Sequence, residues 1–469
     1  MVAESAIIAR PVGVAAGRRS PFVWLMRKEL RELTASRAYW LLLLVIGALV
    51  GHAFMTATDV YAEASGIGGG PAALSQGLSP LAGIVVPTFG AYDIAATLLF
   101  PFVAIRLASS EKHTGGLTLM LQAPGHFLVT IIAKGIALIV AWVVAFVPGL
   151  VALVVWRGMG GHLDAREVST VVLGHLLRGF LTIGLGAAAG AFAANAASAA
   201  IVALTFTLGT WALDYVAAAR GGVVAEMATY TPSAALRVFE RGELRASTVL
   251  VLIILGVAGL AAASIWLRVG ERANSRVLRL VVLALVTGLA CLASARVRAS
   301  WDLSENRQNS FPRADEGALA RIREPLRITV YLAAEDPRLT DLERGVLSKL
   351  RRTMRDVSVT YAARGRSGLF ERPQDHYGEV WYELAGKRAM SRSTTEPIVL
   401  ETIYELAGTH PATASNEAVY RGYPLAVRAS HPVLIFFALW PMIVLVTWWR
   451  LRGPAVTRRT RNAHRRNNE

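Results

Sequence analysis

The stretch "RLASSEKHTGGLTLMLQAPGHF", residues 106–127, is charged at its start, broken by glycines and half apolar. It is flanked by two apolar runs, 90–108 and 129–156, each long enough to cross a bilayer. Further runs of about 18 or more mostly apolar residues stand at 38–56, 174–194, 197–216, 248–267, 278–295 and 432–449. Pro441 lies in the last, where neighbouring helices can accommodate it. With 54% of its 469 residues hydrophobic and 17% charged, the chain is excluded from the purely soluble globules. The reading is an α-helical polytopic membrane protein of about eight transmembrane helices, with an inserted α/β extracytoplasmic domain.

A net charge of +16 raises nucleic acid as a partner, but its placement follows the membrane instead. The N-terminal arm carries Arg18, Arg19, Arg27, Lys28, Arg31 and Arg37. The link after the sixth span has Arg268, Arg272, Arg276 and Arg279, and the tail ends in seven arginines between Arg450 and Arg466. With an even number of spans these three regions share one side, which the positive-inside rule makes cytoplasmic. The first outer loop agrees, with Asp59 and Glu63; the loop around Arg237, Arg241 and Arg245 does not, although Glu240 and Glu243 accompany it. Both termini are therefore expected in the cytoplasm, and no nucleic acid as partner. Cys291, the single cysteine, permits no internal disulfide. The polar arm and long first run read as an uncleaved anchor.

Divided by composition, the chain reads as a cytoplasmic arm (1–37), a six-helix unit (38–267), a link with the seventh span (268–295), the α/β insert (296–430), the eighth span (431–450) and a basic tail (451–469). In the arm, "FVWLMRKELRELTASRAYW" puts Phe22, Leu25, Met26, Leu30 and Leu33 at helical spacing, with Arg27, Lys28, Glu29, Arg31 and Glu32 elsewhere around the helix. This predicts an amphipathic helix on the membrane surface. In the insert, "LRITVYLA", "DLERGVLSKLRRTMRD" and "VSVTYAA" read as strand, helix and strand, a βαβ unit. "EVWYELAGKRAMSR" reads as a hairpin turning at 385–387, and "EPIVLETIYELAG" as a helix ending at Gly408. Period two puts Ile328, Val330 and Leu332 on one strand face, under Leu342, Val346, Leu347 and Leu350 from the helix.

Chemistry-bearing patterns are sparse. The nine histidines show no zinc spacing, so no metal site is expected. Gly386–Lys387 lacks the first P-loop glycine, replaced by Trp381, and is followed by Arg388, so no ATP site is expected either. There is no G-x-S-x-G, and Asp375, Glu379 and Glu383 read as solvated carboxylates. The chain is thus not expected to be an enzyme. Arg106 and Lys134 stand at cytoplasmic span ends, where they can snorkel, and Asp93 and Asp214 near outer ends. His175 and Arg178, one turn apart and deeper, are candidates to line a polar path.

The run from Pro101 through residues 106–127 into "LVTIIAKGIALI" resembles the ABC-2 family of transporter permeases, at Arg106, Glu111, Thr114, Gly115, Leu117, Leu121, Pro124 and Lys134. The Thr–Gly order is inverted from the usual Gly–Thr, and Met120 and Gln122 depart from the pattern. A second piece, "YTPSAALRVFERGELRAS", is similar at Pro232, Phe239, Glu240, Gly242 and Glu243. The stretch "WDLSENRQNSFPRADEGALARIREPLRITVYL" resembles the auxiliary subunit of gliding-motility-type ABC systems at Asp302, Leu303, Asn306, Ser310, Pro325 and Tyr331. Here only the first portion of that subunit's larger external domain is kept. The resemblance implies a permease subunit of an inner-membrane ABC exporter, with ATP and Mg bound by a separate ATP-binding subunit. Other implied partners are a second permease copy or paralogue, membrane lipids and a periplasmic partner. It makes residues 106–127 a lever on that ATPase, with Glu111 facing a basic residue and Leu117, Leu119 and Leu121 supplying apolar contact. The alternative it leaves open is mechanical coupling to a periplasmic partner without transport.

Overall fold

The computed structural model describes residues 21–66, 77–113, 127–220, 224, 227–268, 271–333, 336–362, 376–410, 420–425 and 432–452. It is mostly helical with a small sheet region. Among the described residues eight helices are long and apolar enough to cross a membrane, which marks the chain by length and composition as a multi-pass membrane protein.

After α1 (Pro21–Ala35) come α2 (Arg37–Ala64), then a π turn at Leu81–Val85 running into α3 (Val86–His113), α4 (Phe127–Gly158), α5 (Ala165–Phe192) and α6 (Ala196–Arg220). The short α7 (Pro232–Glu240) and β1 (Glu243–Arg245) precede α8 (Ala246–Trp266) and α9 (Ala273–Ala295). Beyond the sheet region, Pro432–Leu434, a π turn at Ile435–Leu439 and α10 (Trp440–Arg452) form the eighth apolar segment. Helices α2 to α5 share one core, in which Trp142, Trp156, Tyr61, Tyr92, Phe54, Phe89 and Phe100 are fully buried. Two small-residue contacts set the flanks. The backbones of α5 and α8 touch at Gly184, Gly256 and Gly259, where an added Cβ would fall about 2.4–2.5 Å from another atom. On the other side Gly47 and Gly51 of α2 receive Trp440 and Phe436, and Trp440 Nε1 donates to the Leu43 carbonyl (2.9 Å). By contrast α9 is nearly bare: 6% of its apolar window is buried, with Leu278, Leu285, Leu289 and Leu292 exposed.

Several helices begin before their apolar runs. The second starts at Leu81 rather than 90, and α5 at Ala165 rather than 174, because Asp164 caps it by accepting from the Arg166 and Glu167 amides (2.8 and 3.1 Å). The early starts carry polar residues, invisible to a hydropathy reading, into the bundle.

The sheet region holds β3 (Leu326–Val330), β4 (Val357–Tyr361), β5 (Val380–Leu384) and β6 (Lys387–Ser391) in the order β4-β3-β5-β6. Strands β3 and β4 are parallel and joined by a helical crossover, Pro337–Leu342, Glu343–Leu347 and Ser348–Thr353, as the βαβ reading requires; the other pairs are antiparallel. Ile328, Val330 and Leu332 are buried with Leu342, Val346, Leu347 and Leu350. The crossover is shifted from the sequence reading of 341–356: it starts earlier, at Pro337, and ends earlier, at Thr353, with Met354 already extended. The hairpin turns through Ala385 and Gly386, both at positive φ, and Gly408 ends the helix Glu396–Ala407 in the left-handed region. Two elements escaped the sequence reading: Ser300–Asp302, here β2, pairs antiparallel with β1, and Arg313–Leu319 forms a short helix.

Candidate functional site

Polar residues concentrate at three levels of the bundle. At the end opposite the sheet region, α1 lies against α4, with Met26, Leu30 and Leu33 on the core. Glu29, expected on the polar side, is on this buried face at 0% exposure. It sits three residues after Met26 and four before Leu33, so α1 cannot turn those leucine and methionine side chains inward without it. Lys134, expected to snorkel, instead reaches both Glu29 carboxylate oxygens (3.1 and 3.0 Å). This ion pair fastens α1 to the first turns of the helix that follows the 106–127 stretch. Helix α3 carries the backbone past Arg106 and Glu111 to His113, while Thr114, Gly115, Leu117, Leu121 and Pro124 lie outside the described residues.

Near mid-bundle, Arg178 Nε meets Asp93 Oδ1 in an ion pair between α5 and α3. Asp93 is about 18 Å along its helix from Leu81, and Arg178 about 20 Å from Ala165. The expectation that Asp93 lies near an outer end is corrected, because its helix begins nine residues before the apolar run. Thr97 Oγ1 also donates to Asp93 (3.2 Å). His175 is completely buried among Phe89, Tyr92 and Phe146, with ring centroids 5.4, 5.7 and 6.0 Å away. Both His175 nitrogens, Arg178 Nη1, Tyr92 OH and Trp142 Nε1 are buried without a hydrogen-bond partner among the described residues. The structure thus brings His175 and Arg178 together and adds Asp93, Tyr92 and Trp142. Opposite charges inside two separate runs were the sequence signal for the pair.

At the sheet end, the second and third stretches that carry the resemblance meet. Residues Glu243–Arg245 and Ser300–Asp302 form the β1–β2 ladder, the Leu303 amide donates to the Gly242 carbonyl (2.8 Å), and Asn309 Nδ2 donates to the Arg241 carbonyl (2.7 Å). Asp302 organises the loop after β2, accepting from the Ser304 and Asn309 amides and from Ser310 Oγ. That loop presents Glu305, whose amide donates to Glu167 of α5 (2.7 Å) and whose carboxylate meets His162 Nε2 (3.0 Å) and Tyr423 OH (2.6 Å). The Tyr423 hydroxyl, donating to a carboxylate, is held above its usual pKa. The His162 and Tyr423 rings stack at 3.6 Å. Residue 422 must be glycine: it has φ +75°, and a Cβ would lie 2.5 Å from the Leu78 amide nitrogen. Ser65 Oγ, just past α2, accepts from the Leu425 amide (2.9 Å). Asp214, near its helix end as expected, accepts from Thr231 Oγ1 (2.7 Å) and positions the cap of α7.

Of the carboxylates read as solvated, Glu379 instead gathers His376 Nδ1, Trp381 Nε1 and Arg392 Nη2 (2.9, 3.1 and 3.2 Å), and Asp375 lies outside the described residues. Among the described residues no three His, Cys, Asp or Glu side chains converge as a metal site would need. Comparison of the chain with models of known families, with curated proteins and with solved structures found no match.

Between the second and third levels stands Glu240, at the end of α7. Burial, and then the Asp93 charge, push its carboxyl up to about 7 against the opposing pull of Arg237, Arg178 and Arg241. A folded-state pKa above the unfolded one gives stability that is present in full below about 4.5 and lost as pH rises toward 7. Glu240→Gln is therefore expected to flatten the thermal-stability profile of the detergent-solubilised chain across this window and to raise its melting temperature at pH 8. An unchanged profile would place Glu240 in solvent.

Proposed function

We propose that this chain is the membrane-spanning permease subunit of an ABC-2-type exporter, driven by a separate ATP-binding subunit. The observation that carries the reading is the clamp of Glu29 on Lys134. It fixes a surface helix to the base of α4, beside the 106–127 stretch that the resemblance makes the ATPase contact, so a displacement of that stretch reaches α1, α3 and α4 together. In this reading both termini and the 106–127 stretch face the cytoplasm, residues 296–430 stand outside the inner membrane, and ATP and Mg belong to the partner. A second permease copy or paralogue completes the path beside helices such as α6, which keeps Ile201, Val202, Phe206 and Leu208 exposed.

The joint at the sheet end favours a second reading, mechanical coupling to a periplasmic partner. Hydrogen bonds tie the sheet region, or residues 420–425 beyond it, to the ends of α2, α5 and α8, so helix movement is transmitted into it without slack.

Copurification of the chain from its native membranes with an ATP-binding protein tests the shared part of both readings. Leu117→Asp with Leu121→Asp puts two carboxylates into the stretch to which the resemblance gives the apolar contact, and burying them unpaired in an interface is unfavourable by several kcal/mol. The double variant is expected to insert normally yet neither copurify with the ATPase nor stimulate its turnover; retention of both would remove 106–127 as the coupling element. Substrate-stimulated turnover in liposomes separates export from mechanical coupling.

A further inference from the structure

Where the sheet region meets the ends of α8 and α9, a cavity of about 380 Å³ opens between Ser247 in the first turn of α8, Ala295 at the end of α9, and the crossover of the βαβ unit. Five arginines line it: Arg245, Arg298, Arg351, Arg352 and Arg355. Only two carboxylates do, Glu243 and Asp356. Glu243 is already engaged, bound through both oxygens by Arg245 (2.6 and 2.8 Å). Arg352 is held by Glu316 and by Ser310 Oγ (2.7 and 2.8 Å), and Arg351 stands 3.7 Å from Glu343. Arg298 and Arg355 have no carboxylate partner among the described residues. Arg298 Nη1 instead donates to the carbonyl of Arg355 (2.8 Å), which ties the two residues together.

Like-charged groups converge on one space only at an electrostatic disadvantage, unless an anion occupies it. The excess continues behind the cavity: burial, and then the charges of Arg344, Arg245 and Arg237, hold the Arg241 guanidinium below its ordinary range. Planar guanidinium forks match the oxygens of a phosphate, and several can approach its tetrahedron from different sides.

We propose that this cavity binds a phosphate group at the boundary between the apolar helices and the sheet region. A phospholipid headgroup and free phosphate share that chemistry. The bare apolar side of α9 directly below offers acyl chains a surface, which a free ion would not use.

The test uses the full chain purified in non-ionic detergent and follows thermal unfolding with four additions: phosphatidylglycerol, diacylglycerol (the same acyl chains without a phosphate), inorganic phosphate, and chloride at matched ionic strength. Phosphatidylglycerol or inorganic phosphate is expected to raise the melting temperature in a saturable way, beyond diacylglycerol and chloride. Saturation by the lipid alone identifies a headgroup site; an equal response to the free ion identifies a phosphate site. Arg298→Gln with Arg355→Gln removes the two exposed, unpaired cations, so the melting temperature without additions should hold while the half-saturating concentration rises about tenfold or more. If that pair of changes disturbs folding, Arg355→Gln alone provides the same readout with a smaller shift. The proposal is overturned if neither phosphate-bearing addition exceeds its control, or if the variant saturates at the parent's concentration.

Discussion

Replacing Arg178 with methionine is expected to destabilise the full chain by about 3–5 kcal/mol, the range for removing one partner of a buried ion pair. Arg178 is 3% exposed and Asp93 8%. Without the guanidinium, the Asp93 carboxylate would keep only the Thr97 hydroxyl among the described residues. Thermal unfolding in detergent reads the loss. The diagnostic arm is Asp93→Leu with Arg178→Met, since deleting both charges leaves no uncompensated ion and is often close to neutral. The double variant is expected to recover most of the loss. If it is as unstable as Arg178→Met, the two residues act independently and the pair is not what fastens α3 to α5.

Val330→Asp is the second large effect. Val330 is fully buried, in β3 between β4 and β5, beneath the crossover. A carboxylate placed there has no partner within the apolar cluster, and burying it is unfavourable by several kcal/mol. A four-stranded region of this size has little stability to lose. Brief trypsin treatment of the full chain is expected to cut within 296–430 in the variant far faster than in the parent. The apolar helices should stay intact, because their core does not include Val330. An unchanged digestion pattern would mean that the strand faces are misassigned.

The legibility of each element follows from the range of its forces. The eight apolar runs were plain in the sequence because hydropathy over a window is local. The four strands of the larger sheet and the turn at Ala385 and Gly386 were plain because period two and a glycine-containing turn are written in neighbouring residues, whereas the three-residue strands β1 and β2 are too short to show a period. The early starts of the second helix and of α5 were not, since polar residues such as Glu167 enter a helix there only because Asp164 caps it and Glu305 supplies a partner.

What the sequence determined by itself was therefore the class: an apolar, many-helix chain with one α/β insert, with His175 and Arg178 as candidates, no more, for polar residues inside it. Only the tertiary structure decided the pairings: Glu29 with Lys134, 105 residues apart, Asp93 with Arg178 across two helices, and Glu305 with His162 and Tyr423. A lone charge in an apolar run looks the same whether it snorkels, pairs or stands alone. What settles it is the free energy of desolvation against that of a partner, and the partner is brought by the fold from a distant part of the chain.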